Sequence, residues 1–246
     1  MLRALAFGEP KLAEPAEAVC AAAQSASGLR VDTIRTVQPE FLDGLPQDSF
    51  AAQRSRRDLR IINRLLGSTA WFSRVLRDQA RPGERVLEIG AGMGELGRSL
   101  SRTYPELAGL DYTRRPMAWP GSASWFETDV FRFGGWVSYP IVIGNLVFHH
   151  FDHDGLAILG EKLNQHARLF IASEPRRTRR AVGLFSFLCV LIRAHPVTRH
   201  DGRVSIAAGF RGDELPRLLQ LDPKVWIWRT FETWLGAYRL VAERRS

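Results

Sequence analysis

From Asp48 onward the apolar residues of this chain recur at helical intervals. Leu59, Ile61, Ile62, Leu65 and Leu66, then Trp71, Phe72, Val75 and Leu76, fall on one side of a 3.6-residue period, interrupted only by Gly67 and Ser68. The pattern predicts two amphipathic helices that end before the turn Arg81-Pro82-Gly83. Beyond that turn the period changes. Short unbroken apolar runs at 85–89, 107–110, 123–126, 139–148 and 168–173 alternate with longer polar-apolar segments. Runs of this kind suit strands covered on both faces, and their alternation predicts an α/β fold with a parallel sheet and right-handed crossovers. Residues 94–103 and 154–166 carry helical patterning, whereas 113–121 (TRRPMAWPG) and 130–138 (VFRFGGWVS) are too short and too rich in Pro or Gly, so those two crossovers are expected to be degenerate. At the C-terminal end, 209–219 reads as a short helix, and 224–234 with 236–244 as an antiparallel pair closing a sheet edge.

These patterns divide the chain into an irregular lead-in over 1–47, a helical cap over 48–80 and a main domain over 81–246, with 181–212 as a lid or insert. A length of 246 residues with 45% hydrophobic content is enough for a full core. The first thirty residues carry Arg3, Glu9, Lys11, Glu14 and Glu17, which interrupt any signal-peptide-like apolar segment, so a cytoplasmic location is expected. Cys20 and Cys189 are too few and too far apart for a disulfide framework or a zinc site and read as reduced thiols. The net charge of +8 invites a nucleic-acid reading, but the excess is mostly Arg spread along the chain, dense only in RRTRR at 176–180, with no zinc-finger, RRM or KH signature. A small-molecule partner is therefore preferred over nucleic acid.

The chemistry concentrates in residues 86–97, VLEIGAGMGELG. Taken from Gly92 this is the G-x-G-x-x-G of a dinucleotide turn; taken from Glu88 it is E-x-G-x-G-x-G. A dinucleotide turn opens directly after its strand, and with the strand ending at Ile89 the third glycine would fall on Glu95. The alternative start at Gly92 would sink Glu88 deep in a buried strand, where an unpaired carboxylate is costly. The second reading puts Glu88 at the strand's carboxyl edge and lets the glycine backbone pass under a ligand with no Cβ in the way. Asp111, about twenty residues on at the tip of the next apolar run, suits a ribose diol, a role that nicotinamide and S-adenosylmethionine sites share.

These residues, together with FETDVF at 126–131, VIGNLVFHHF at 142–151 and IASEP at 171–175, resemble the motifs of the class I, seven-strand S-adenosylmethionine-dependent methyltransferases. The resemblance covers 84–175 motif by motif and the remainder in outline. It implies a Rossmann-like, mostly parallel seven-stranded sheet with helices on both faces, an antiparallel last strand and an N-terminal helical extension. It further implies that Glu88, Gly90, Ala91, Gly92 and Gly94 wrap the methionine part of S-adenosylmethionine, that Asp111 meets the ribose with Tyr112 beside it among the cofactor-binding residues, that Asp129 and Val130 hold the adenine, and that Asn145 sits beside the donated methyl. Pro140 departs from the acidic residue that commonly opens strand four, and LNQHARLF at 163–170 lacks the usual Gly pair. Asp111 and Asp129 also fit a plain capping role.

His149 and His150 are the candidate catalytic bases, since an imidazole near its ordinary pKa can take the acceptor's proton; a structural histidine bonded to backbone is the alternative for each. No D/N-P-P-Y/F element is present, neither cysteine follows a proline, and no acidic cluster suggests magnesium, so a metal-independent O-, C- or N-methyltransferase is expected. The apolar stretch 181–192, flanked by RRTRR and Arg193, is too short to span a bilayer and reads as a buried lid helix or a helix lying on an anionic membrane through 176–194. With Trp71, Phe72 and Phe148 such a lid would line an apolar cavity for an aromatic, polyketide-like or quinone-like acceptor. An RNA methyltransferase, a non-catalytic cofactor-binding protein and a nicotinamide-linked reductase remain as rivals.

Overall fold

The computed structural model describes residues 34–245; the first 33 residues of the lead-in, with Cys20, and Ser246 lie outside them. Helices α1 (Phe41–Gly44), α2 (Phe50–Leu66) and α3 (Ser68–Gln79) precede the sheet. There follow β1 (Val86–Ile89), α4 (Glu95–Leu100), β2 (Leu107–Asp111), β3 (Ser124–Glu127), β4 (Ile141–Asn145), α5 (His153–His166) and β5 (Leu169–Pro175). Helices α6 (Arg179–Leu191), α7 (Pro196–Ala208) and α8 (Glu214–Leu218) lead to β6 (Trp226–Glu232) and β7 (Ala237–Arg244). The 113–121 and 130–138 connections hold no α-helix; the second contributes only a 3-10 turn, Trp136–Ser138.

The strands form one sheet in the order β3-β2-β1-β4-β5-β7-β6. β1 to β5 pair in parallel, and β7 runs antiparallel between β5 and β6. Side chains alternate across this sheet and divide the core into two layers. Leu87, Ile89, Val142, Phe170 and Ala172 face α5 and α8, where Leu156, Leu159, Leu163, Leu215 and Leu219 cover them. Val86, Ile141, Ile143, Leu169 and Ile171 face α3 and α4, under Trp71, Phe72, Leu76, Leu96 and Leu100.

The apolar-cavity expectation fails on this division. Phe72 and Phe148 are fully buried on opposite faces of the sheet, and Trp71 lies in the same layer as Phe72, so the three cannot line one pocket. The lid expectation is also revised. Helix α6 starts at a Thr178 cap, whose hydroxyl accepts from Ala181 N, and buries only Ala181 and Cys189. Phe187, Val190 and Leu191 stand 63%, 67% and 68% exposed, because the face of α6 that packs on α7 is the one carrying Ala181, Val182 and Phe185, the last over Gly202. Of the RRTRR run, Arg176 pairs with Glu232, and the buried Arg177 pairs with Glu214 and donates to Gly209 O. Two of its four arginines are thus internal ties rather than a free basic surface. Among the described residues no helix is long and apolar enough to cross a membrane.

Residues 34–47, the part of the lead-in that the structure describes, are mostly exposed but are tied to the main domain by hydrogen bonds. Thr36 N donates to Ala207 O, and the Asp201 carboxylate of α7 accepts from Phe41 N and Leu42 N at 3.0 and 2.9 Å, capping α1. Phe41 stacks on His200 with ring centroids 4.0 Å apart. This segment thereby reaches the carboxyl edge of the central strands.

Candidate functional site

β1 ends at Ile89 and the chain turns at once through Gly90, Gly92 and Gly94, whose φ angles are +63°, +52° and +74°. At Gly92 a side chain would need the left-handed region, and an added Cβ would meet nothing nearer than Gly90 O at 3.9 Å. The turn is therefore bare on that side. Gly94 has the opposite surroundings, with Trp119 2.8 Å from the place of a Cβ. Ala91 points into the core beside α4 and offers a ligand only its backbone.

Glu88 lies within β1 and not at its edge: it pairs in register with Gly109 and Ile143 and is 3% exposed. Its side chain lies below the turn, where Gly97 N donates to the carboxyl and Oε2 has no partner among the described residues. Gly97 makes this possible, since a Cβ there would stand 2.6 Å from Glu88 Oε2 and 2.3 Å from Trp119. Burial, reinforced by Asp111 and Glu95, pushes the Glu88 carboxyl up to about 8, so at neutral pH it is chiefly an acid.

A proton is consequently taken up on folding. Between the ordinary carboxyl value of 4.5 and about 8, folded Glu88 holds a proton that the unfolded chain has released. Stability must then fall as pH rises through that window, by up to about 1.4 kcal/mol per pH unit from this group. Glu88→Gln is expected to remove that slope and to gain on the parent at pH 8 relative to pH 5, read from urea midpoints. Equal slopes for the two proteins would contradict the assignment.

Asp111 stands at the tip of β2. Its Oδ2 accepts from Gly92 N at 2.8 Å, and its Oδ1 accepts from Thr113 N and Thr113 Oγ1, both at 2.8 Å. The carboxylate thus latches the glycine turn to the second strand. Tyr112 beside it is exposed, and Asp129 caps a turn by accepting from Phe131 N, with Val130 half-buried against the core. Both aspartates fill the capping role foreseen for them, which leaves Asp129 exposed for further contact. Asn145 ends β4, and its Oδ1 is buried with no partner among the described residues.

The segment after β4 is held from both ends. Glu174, fully buried at the end of β5, accepts through Oε1 from Val147 N and Phe148 N at 2.9 Å, and through Oε2 from His149 N at 3.3 Å. The same Oε2 meets His149 Nδ1 at 2.6 Å. From the other side Arg35 Nη2 donates to the carbonyls of Phe151, His149 and Phe148 at 2.6, 3.1 and 3.4 Å, and its Nε to Ala208 O. A one-turn 3-10 helix, Phe148–His150, sits between an anion at its N–H groups and a cation at its carbonyls. Each charge meets the end it favours, as the partial charges of a helix turn require.

This clamp decides the histidines. His149 is buried with Nδ1 on Glu174 and Nε2 3.4 Å from Glu40 Oε1. Burial opposes its charge, but the Glu174 and Glu40 carboxylates prevail and push it up to about 9. With Nδ1 held by Glu174 and the charged form of the ring favoured by the two carboxylates, His149 is poorly suited to the role of the expected base. His150 stacks on it with centroids 4.2 Å apart and is only partly exposed. Burial, then the charge on His149, lowers His150 to about 4 and keeps it neutral.

Three members of this site escaped the sequence reading: Arg35, Glu40 and Glu174 as an anchor. Arg35 and Glu40 lie more than a hundred residues from their partners, inside the lead-in, and no local pattern marks them. Glu174 stands in a quoted motif, but its four hydrogen bonds depend on where the β4 loop folds.

No family model matches this chain, and no curated protein does. Solved structures do. The plantazolicin methyltransferase BamL, in complex with a triazolic desmethylPZN analogue and SAH, superposes with a TM-score of 0.64 at 12% identity, over 94% of this chain and 99% of that one. The plantazolicin methyltransferase BpumL in complex with SAH matches with a TM-score of 0.60 at 14% identity, over 80% and 92%. The methyltransferase domain of a bacterial Hen1 gives 0.50 at 14% identity, over 72% and 97%. With these likenesses and its sheet order, the chain has the seven-stranded Rossmann-like fold of the class I S-adenosylmethionine-dependent methyltransferases.

Proposed function

We propose that this protein is an S-adenosylmethionine-dependent methyltransferase with a small-molecule acceptor. The observation that carries the reading is the bare glycine turn at Gly92, latched to Asp111 at the adjacent strand tip, with the orphaned Asn145 Oδ1 at the end of the strand on its other side. A nucleoside with a cationic sulfur fits these groups. Gly92 leaves room for the amino-acid portion, Asp111 offers carboxylate oxygen to the sugar, and Asn145 offers a buried carbonyl oxygen to the positive end. When bound, the sulfonium supplies an activated methyl: the acceptor's lone pair forms the new bond to carbon, the carbon–sulfur pair stays on sulfur, and the acceptor's proton passes to water.

The protein's own share is then alignment. Holding donor and acceptor in line is worth up to roughly 7 to 11 kcal/mol, so no dedicated base is required of the two histidines. The clamp of Glu174 and Arg35 suits that task, since it fixes the segment that follows Asn145. The small acceptor is favoured over nucleic acid because Arg176 and Arg177 are spent on internal pairs.

Calorimetric titration with S-adenosylmethionine is expected to show one binding event, with NADH giving none. Incubation with methyl-labelled cofactor and a fractionated metabolite extract should then label a small product. Heat from NADH alone would overturn the reading, and label recovered only in RNA would overturn the choice of acceptor.

A further inference from the structure

We propose that Glu40, His149 and His150 form a site for a divalent first-row transition cation, on the same sheet edge as the glycine turn but separate from it. Each of the three side chains offers one ligand atom, and those atoms lie within 4.8 Å of one another. They come from two distant parts of the chain, the segment before α1 and the turn after β4, each held by its own hydrogen bonds. Asp201 fixes the backbone on one side, and Glu174 with Arg35 fixes it on the other.

Two geometric details favour a cation over a simple internal ion pair. The first is the spacing of His149 Nε2 and Glu40 Oε1, which is 3.4 Å. A charge-assisted N–H to carboxylate bond is ordinarily about 2.7–2.9 Å long, as the 2.6 Å contact on the other side of the same ring illustrates. Two ligand atoms held at about 2.0–2.1 Å from one tetrahedral ion stand roughly 3.3–3.4 Å apart, which is the spacing seen. The second is the backing of His149. Its Nδ1 is bonded to a carboxylate that is itself anchored by three backbone N–H groups, leaving Nε2 turned toward Glu40. A carboxylate behind an imidazole in this way orients metal-binding histidines and raises their basicity.

His150 supplies the third nitrogen from a partly exposed position, where its ring has room to adjust. Asp43 Oδ2, 3.9 Å from His150 Nδ1, is the next carboxylate at hand. Two imidazoles and one carboxylate are a borderline donor set that suits Zn²⁺ or Co²⁺ better than Ca²⁺ or Mg²⁺. Three protein ligands leave at least one coordination position open to water or to an acceptor oxygen. That last role rests on the methyl-transfer reading; the binding of the ion does not.

The test uses the full chain, stripped with EDTA and dialysed, titrated with Zn²⁺ by calorimetry and with Co²⁺ by visible absorption. One equivalent of Zn²⁺ is expected, together with a Co²⁺ spectrum of four- or five-coordinate type that one equivalent of Zn²⁺ abolishes. His150→Ala, at a position open enough to spare the fold, should weaken binding at least tenfold, and so should Glu40→Gln, both with unchanged circular dichroism. The proposal is overturned if neither ion saturates at one equivalent, or if His150→Ala binds as the parent does. Because these readouts need no S-adenosylmethionine, loss of the metal site and loss of the methyl-transfer reading are distinguishable.

Discussion

Glu174→Leu is expected to cost about 3–5 kcal/mol of folding stability, the range for stripping one partner from a buried charge arrangement. The carboxylate is fully buried, accepts three backbone N–H groups and faces the buried cationic ring of His149. Leucine nearly fills the volume but satisfies none of these donors, so each is left in the interior without a partner. Against a total of roughly 5–15 kcal/mol for a typical domain, such a loss should move the urea midpoint far to the left. The matched control is Glu232→Gln, whose ion pair with Arg176 is about a quarter exposed. That pair is expected to contribute less than about 1 kcal/mol. A midpoint shift for Glu174→Leu no larger than that of Glu232→Gln would refute the anchoring role.

The contrast between Glu174 and the glycine turn marks how far the sequence could be read. The sheet was legible because its information is local. Five apolar runs fall within a residue or two of β1 to β5 at one end, and the closing pair announced itself in the same way. The turn at 90–94 was legible because a positive φ at close quarters admits little but glycine. Glu174 lay in plain sight as the end of a strand, yet its partners are set by the course of the β4 loop, which no spacing encodes. Arg35 and Glu40 were beyond reach for a related reason. Their segment is short of apolar periodicity because it is fastened by polar side chains, Asp201 and Ser205 among them, and pairings of that kind leave no periodic trace. The burial of α6 was overestimated from composition: an apolar helix implies a partner, and α6 meets α7 only through the face that carries Ala181, Val182 and Phe185. Hydrophobicity told that α6 seeks cover but not where its apolar residues point.

Asp111→Ala should weaken S-adenosylmethionine binding roughly a hundredfold or more, since hydrogen bonds to a charged group are worth about 1.5–3 kcal/mol each and 1.4 kcal/mol is tenfold. The hydrogen bonds already in place sharpen the expectation. A carboxylate has about four lone-pair sites, and here Gly92 N takes one on Oδ2 while Thr113 N and Oγ1 take both on Oδ1. One sugar hydroxyl can therefore reach Oδ2 at once, whereas the second must displace the Thr113 hydroxyl, which rotates freely about its own bond. Thr113→Val removes that competitor and keeps the charge. It should bind the cofactor as tightly as the parent or a few-fold tighter, although it deletes a hydrogen bond of the unliganded protein. Paired calorimetric titrations of the two variants check both halves. If Thr113→Val lost affinity in step with Asp111→Ala, the carboxylate would be acting only as a brace for the glycine turn, and the sugar would have to be held elsewhere.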